Sequence, residues 1–435
     1  PAGKGGGGIS TVTISPLGPK SADCTPFALC HLAVTVSARK TGGPVSAVAM
    51  LAILSPVSSA LLALNYLRQP TRQVKMWTWC DDVVEANDNP FTIDDYTRMV
   101  DDEVRTAGFR MAIERRLRHH PKSVVLDIGT GPFALLALFA AQLGARKVYA
   151  VEASATAAEQ ARATVAAAEE SGAIPPGVIE IVEGFSTAVT LPERADLLVC
   201  EIVGSIASEE GMYSTYRDAR LRHLKRPEHA TSYIPMRCQT VAAPASFSSH
   251  HHSEYGWAKR HQPLRLDCYN WGLVPLAPPQ LLEDFACGGE DPPPGPGVHA
   301  LAVAPLEFHA SAAKMEANRR TLAEALELEE GMNAPRAAHA AADVSGSLSG
   351  IACWPRLVLD EGSSEEDEQP IVVEARGMGG EVRLSSWNTL LLLLDDEPVR
   401  IRAGDTVSVE CYVDIGAEID TPPRYTMKAR VEPAR

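Results

Sequence analysis

Paired cysteines are what this chain lacks first. Its nine cysteines are scattered, and no two stand in a CxxC arrangement. That excludes a zinc knuckle and a disulfide framework and points to a reducing compartment. The run His250–His252 has no second ligand cluster near it in sequence, so it reads as a polar loop and no metal site is expected. No glycine-rich turn is followed by a P-loop lysine, which excludes that mode of ATP binding. A basic excess is also missing. Lys and Arg total 40 against 55 Asp and Glu, a formal charge of -15. This argues against nucleic acid as the main partner and suits a cationic substrate. Acids are nearly absent from residues 1–43, which reads as disordered or transit-like. Residues 44–66 carry no charge at all and are long enough to span a bilayer. Four serines and a central Pro56 favour a buried or poorly structured leader over an anchor. With Pro1 as its first residue, the chain is expected to be a fragment or a processed form.

Beyond the leader the sequence has strong periodicity. Apolar residues at helical spacing, Met99, Val100, Val104, Phe109, Ile113 and Leu117, predict a helix over 91–117, ended by Pro121. "SVVLDIG", "KVYAVE", "VIEIVEG" and "ADLLVCE" read as strands, with helical segments between the first three. Short links between alternating strands and helices predict a doubly wound α/β sheet. After "SYIPMRCQTVAAP" long helices mostly stop. "LSGIACWPRLVL", "LLLLLDD", "VRIR", "TVSVECYV" and "RYTMKARV" read as strands of a mainly β domain, with one solvated helix in "AAKMEANRRTLAEALELEEG".

"VLDIGTG" places Asp127, Gly129 and Gly131 at a strand-to-helix turn, where the backbone can approach a ligand closely. Glu152 ends the next strand, where a carboxylate can accept hydrogen bonds from two ribose hydroxyls. This is a nucleoside-binding arrangement that does not by itself separate a nicotinamide cofactor from S-adenosylmethionine. Further on, "CEIVGSIASEEGMY" carries Glu201 off the end of a buried strand and Glu210 nine residues later.

Over roughly residues 91–435 these motifs resemble the protein arginine methyltransferase family. The resemblance rests on "YTRMVDDEVRTAGFR", "VLDIGTG", "VYAVE", "EIVGSIASEEG", "SYIPMRCQTVAAP", "SGIACWPRLVL" and "LSSWNTLLLLLDDEPVRIRAGDTV", in that order. It implies a Rossmann-like class I S-adenosylmethionine-dependent methyltransferase domain followed by a C-terminal β-barrel. The expected organisation is a leader at 1–75, a helical segment at 76–120, the cofactor domain at 121–244 and the barrel at 245–435. A dimerisation arm is expected near 255–300, anchored by Tyr255, Trp257, Tyr269 and Trp271. The resemblance implies that Arg105 grips the carboxylate of S-adenosylmethionine, alongside Asp127, Gly129, Gly131, Glu152 and Ser186 or Thr187. Met99, Ser386 and Trp387 would contact substrate, and Glu201 and Glu210 would be the catalytic pair. Phe133 stands near the place of the family's third glycine, and Ser386 replaces the usual histidine before the tryptophan. The branch is unsettled: the glutamate loop and the Ser–Trp pair are closest to symmetric dimethylation, "EEGMYSTYRDARLRHL" to monomethylation, and Met99 to asymmetric dimethylation.

An arginine keeps its charge at cellular pH and offers a planar fork of donors. Two carboxylates can hold that fork in bidentate fashion and fix which nitrogen meets an electrophile. Glu201 and Glu210 would thus make a slot for one guanidinium, with Glu209 as the rival to Glu210. The expectation is methyl transfer to arginine in protein substrates by a homodimer in the cytoplasm or nucleus, or in an organelle if the leader is a targeting segment. Two alternatives remain: a methyltransferase of the same fold acting on a small molecule, or a catalytically weak relative that serves as a binding partner.

Overall fold

The computed structural model describes residues 73–80, 92–248, 262–268, 272–329, 331–362, 369–395, 397–417 and 421–434. The leader with its uncharged run, His250–His252, Tyr255, Trp257, Tyr269 and Trp271 lie outside the described residues. The first strand, β1 (Gln73–Cys80), alternates inward Trp77 and Trp79 with outward Met76 and Thr78. Thr92 and Asp95 form a reciprocal capping box at the start of α1 (Ile93–Asp101). Asp102 ends that helix and caps α2 (Glu103–His119), so the helix expected over 91–117 is two helices broken at one aspartate.

The alternating region follows as β2 (Val124–Ile128), α3 (Leu135–Gln142), β3 (Lys147–Glu152), α4 (Ala155–Glu170), β4 (Ile179–Glu183), β5 (Leu197–Cys200), α5 (Met212–Arg222) and β6 (Tyr233–Ile234). The strands form one parallel sheet in the order β4-β3-β2-β5-β6. Chain order reverses at β2, whose neighbours are β3 on one side and β5 on the other. Ligands of open α/β sheets bind at such a reversal, beyond the carboxyl ends of the strands. Every residue of β2 is buried, which explains its unbroken apolar run.

The mainly β region contains β7 (Arg237–Phe247), β8 (Leu264–Leu266), β9 (Leu273–Pro275), β10 (Gln280–Ala286), β11 (Gly297–Ala300) and β12 (Leu306–His309). It continues through α6 (Ala312–Glu329), α7 (Ala334–Ser345), β13 (Ser347–Leu348), β14 (Gly350–Asp360), β15 (Ile371–Glu374), β16 (Thr389–Leu393), β17 (Val399–Arg400), β18 (Thr406–Ile415) and β19 (Arg424–Glu432). One antiparallel sheet runs β10-β7-β14-β16-β8, with β15 on β14 and β9 on β7. A second runs β1-β19-β18-β11, with β12 on β18.

Four sequence expectations change here. Residues 73–80, assigned to the leader and the helical segment, are a strand paired with β19. The first strand of the β region starts at Arg237, earlier than the expected boundary at 245. Within 255–300, β8, β9, β10 and β11 are paired in the β sheets, while the aromatic residues expected to anchor an arm lie outside the described residues. The solvated helix is α6 of a helical hairpin, with Leu322 and Leu326 buried against Ala337 and Ala341 of α7. Helix α2 joins the two regions. A Cβ on Gly108 would lie 2.6 Å from Val373 Cγ1 on β15, so only glycine allows this approach. Arg115 and Arg116 reach Asp360 of β14 at 2.9 and 2.8 Å.

Candidate active site

Three segments meet at the carboxyl end of the parallel sheet: the glycine turn after β2, the end of β3, and the loop from Glu201 to Gly211 after β5. In the turn, Gly129 and Gly131 have φ of 77° and 64°, values that an L side chain adopts only under strain. The N–H groups of Gly129 and Thr130 donate to Val151 O, fastening the turn to β3. Ala134 begins α3 at φ 46° without a side-chain cap. A non-glycine residue in this region stores strain, which is common at ligand-holding turns.

Asp127 is buried beneath the turn. Its Oδ2 accepts from Thr130 Oγ1 at 2.6 Å, and its Oδ1 has no hydrogen-bond partner among the described residues. Burial raises this carboxyl to about 7, with the Thr130 hydroxyl opposing and the Glu152 charge adding to the rise. Glu152 accepts the N–H of Gly131 on Oε2 and that of Ser154 on Oε1, both at 2.9 Å. The carboxylate expected to face ribose hydroxyls here rests on backbone donors that such hydroxyls would supplement or displace. Ser186 is buried after β4, its carbonyl accepting from Arg222 and paired with His223 Nε2; Thr187 beside it is half-buried. Tyr96 of α1 lies over the turn, 3.0 Å from where a Gly131 Cβ would stand. An orphaned buried carboxylate oxygen, two left-handed glycines and an uncapped helix start fit a nucleoside cofactor bearing hydrogen-bond donors.

Arg105, Glu201, Met99 and Trp387 are brought together. Arg105 donates Nε and Nη2 to Glu201 Oε2, and Nη1 to Met99 O at 3.1 Å. The guanidinium sits between the rings of Phe109 and Trp387, at 5.7 and 5.8 Å from their centroids. Arg105 and Glu201 are thus direct partners, where the resemblance assigned one to cofactor and the other to substrate. Beside them is a cavity of about 310 Å³, with Val373, Leu384 and Trp387 among its walls.

Asp102 was not singled out from sequence, yet it ties two parts of the site. Its Oδ1 caps α2 at the Arg105 N–H, and its Oδ2 accepts the Ser386 N–H at 2.8 Å and the Ser386 hydroxyl at 3.2 Å. Ser386 is therefore held by Asp102, which fixes the strap carrying Trp387. In sequence it falls inside the helix expected over 91–117, and its second bond spans 284 residues.

The loop after β5 separates the two adjacent glutamates. Glu210 is exposed, at the turn before α5, while Glu209 is buried. The loop is fastened to the β region: Ala207 N–H donates to Thr240 Oγ1, and Ser208 Oγ lies 2.8 Å from Tyr425 Oη. Just beyond it, Tyr213 Oη and Thr240 Oγ1 both donate to the buried Glu283 at 2.6 Å.

No protein-family model matches the chain. Curated relatives do. Protein arginine N-methyltransferase PRMT10 of Oryza sativa subsp. japonica is 37% identical over 145 residues, 32% of this chain and 36% of that protein. The protein of that name from Arabidopsis thaliana is 36% identical over 141 residues, 31% and 35% of the two chains. Protein arginine N-methyltransferase 6 of Danio rerio is 34% identical over 167 residues, 37% and 46% of the two. The matched segment spans about a third of the first two relatives' length. Among solved structures, protein arginine methyltransferase 10 of Arabidopsis thaliana aligns with TM-score 0.52 at 18% identity, covering 77% of this chain and 96% of that one. The PRMT1 enzyme-prozyme heterotetramer of Trypanosoma brucei, solved with AdoHcy, aligns with TM-score 0.52 at 17% identity, covering 78% and 98%. The structural likeness establishes the fold: a Rossmann-like parallel sheet followed by a barrel domain.

Proposed function

We propose that this chain, which belongs with the protein arginine N-methyltransferases in sequence and fold, transfers methyl groups from S-adenosylmethionine to guanidinium nitrogens of arginine in proteins. The observation that carries the reading is the placement of Glu201. It leaves the carboxyl end of β5, next to the chain reversal at β2, and both of its bonds to Arg105 fall on one oxygen. Arg105 thus engages Oε2 alone among the two carboxylate oxygens of Glu201.

Asp127, Gly129, Gly131, Glu152, Ser186, Thr187 and Arg105 would hold the cofactor, which supplies an electrophilic methyl on sulfonium. Everything else falls to the chain's own side chains. Arg105, fixed between two aromatic rings, holds a carboxylate on one side and steadies Glu201 on the other. Glu201 and Glu210 take the guanidinium fork and set which nitrogen points into the site, so orientation supplies much of the rate. Trp387 and Met99 close the slot against water, and Asp102 keeps Ser386 and Trp387 in place. The loss of an imidazole at Ser386 leaves a smaller, uncharged neighbour beside the guanidinium. That favours monomethyl or symmetric dimethyl arginine, while Met99 pulls towards the asymmetric product.

The test is mass spectrometry of an Arg-Gly-rich peptide after incubation with enzyme and S-adenosylmethionine. Methylated arginine is expected; methylation confined to a metabolite extract would support a small-molecule enzyme, and no turnover with no heat of cofactor binding would leave only a binding role. The working form is proposed to be a homodimer, with support from the heterotetrameric relative. Light scattering at micromolar concentration checks this, and a monomer refutes it.

A further inference from the structure

Glu209 has no task in the reading above, yet it is the most elaborately held carboxylate of the loop. Its side chain is wholly buried, while that of Arg265 is 37% exposed. Oε2 accepts the N–H groups of Ser205 at 3.1 Å and Ile206 at 3.3 Å, so the loop folds back around its own side chain. Arg265 on β8 closes on both oxygens, Nη2 to Oε1 at 2.8 Å and Nη1 to Oε2 at 3.1 Å, and Nη1 also reaches Ser205 Oγ. Trp79 on β1 donates its indole N–H to Oε1 at 3.3 Å. Gly204 makes the approach possible: a Cβ there would stand 2.7 Å from Glu209 Oε2 and 2.8 Å from its Cβ. The donors come from three distant parts of the chain and converge on one side chain.

We propose that Glu209, with Arg265 and Trp79, is a positioning residue: a latch that sets the path of residues 204–209 and thereby the direction in which Glu210 leaves the loop. This rests on the arginine-methylating reading. Two adjacent glutamates could each present a carboxylate to a guanidinium. The latch removes that ambiguity. It draws Glu209 inward and neutralises it with a bidentate guanidinium, the same chemistry the slot would offer a substrate. The Glu209 N–H closes a turn on Ile206 O at 3.0 Å, and Gly211 at φ 77° redirects the chain into α5. Glu210 is left exposed between them. An ion pair with one partner buried and the other part-exposed adds little stability compared with well-packed apolar residues, so geometric specificity is the more economical reason for keeping one here.

The experiment uses the full chain and the variants Glu209→Gln, Arg265→Ala and Arg265→Lys. Hydrogen–deuterium exchange reads the segment 203–211 against β2, β3 and β5. Steady-state methylation of an Arg-Gly peptide and calorimetric titration of S-adenosylmethionine complete the set. In Glu209→Gln and Arg265→Ala, the segment should exchange at least about tenfold faster while the parallel strands are unchanged. The kcat/KM for peptide should fall about tenfold or more, chiefly through KM, because the ground-state grip on the guanidinium is lost. Cofactor affinity should stay within about twofold. Arg265→Lys keeps the charge without the fork and should lie between wild type and Arg265→Ala. Unchanged loop exchange overturns the latch. So does faster exchange with kcat/KM retained, and so does loss of protection spread over the whole chain, which would make the pair merely structural. An inactive wild-type chain whose variants still show the local exchange change counts against the arginine reading and not against the latch.

Discussion

Arg105 and Glu201 are each 8% exposed at the side chain and bonded to each other. Removing one charge leaves the other buried and only partly compensated, a loss that typically costs about 3–5 kcal/mol. Glu210 is exposed, so solvent screens its charge and little stability depends on it. Glu201→Gln should therefore abolish methylation and lower the melting temperature, whereas Glu210→Gln should abolish methylation at an unchanged melting temperature, with cofactor binding nearly intact. Retained turnover in Glu210→Gln would remove that residue from the slot. Asp127 gives a prediction of the opposite sign from most carboxylates. Burial raises its pKa from 3.8 to about 7, so the folded state holds the proton more tightly than the unfolded one. The contribution of this group to stability is then greatest at low pH, falls as pH rises between about 4 and about 7, and is level above. Asp127→Asn should melt higher than the unliganded wild type at about pH 7.5 and level with it at about pH 4, while binding S-adenosylmethionine more weakly. Calorimetry at the two pH values checks this. A variant that melts lower at the higher pH would show that Asp127 is ionised and satisfied.

At the scale of elements, the turn from β2 to α3 depends on conformations that only glycine adopts cheaply. Gly131→Ala meets two obstacles: a left-handed φ, which costs an L residue roughly 1–2 kcal/mol, and the Tyr96 ring at 3.0 Å. The variant should retain its parallel sheet by circular dichroism but lose about tenfold or more in cofactor affinity by calorimetric titration. Equal affinity would mean that the turn is only a connection. This turn was legible in sequence because local rules govern it: a buried strand, two glycines, an apolar helix. The alternation of β2, β3, β4 and β5 was legible for the same reason. What escaped was non-local. The pattern of Trp77 and Trp79 is that of a strand, but its partner β19 lies some 350 residues on, between Thr78 and Thr426 for example. Nothing near "VRIR" says that β17 pairs with β13 rather than with the strand after its turn. Asp102 looks like helix interior until Ser386 arrives to use it. The nine-residue spacing places Glu201 and Glu210 on one loop, but it cannot say that Arg265 draws Glu209 inward.

Over the whole molecule the charge balance is 55 acids against 40 Lys and Arg, a net of -15. An Arg-rich peptide approaching such a surface is attracted before any contact forms, and salt screens that attraction. The screening length falls from about 30 Å at 0.01 M to about 10 Å at 0.1 M. Contacts within the slot would be short, and the one to Glu201 buried, so they should respond much less. Raising ionic strength from about 0.02 to about 0.3 M should therefore raise the peptide KM severalfold at nearly constant kcat. S-adenosylmethionine carries one carboxylate among two cationic centres, so its own KM should move far less. A second peptide with one arginine in a neutral frame separates the two contributions. It should start from a higher KM at low salt and show a shallower slope, because only the target guanidinium remains to be steered. If both peptides show the same flat dependence, the acidic excess has no part in recruitment, and affinity comes from the slot and the neighbouring cavity alone.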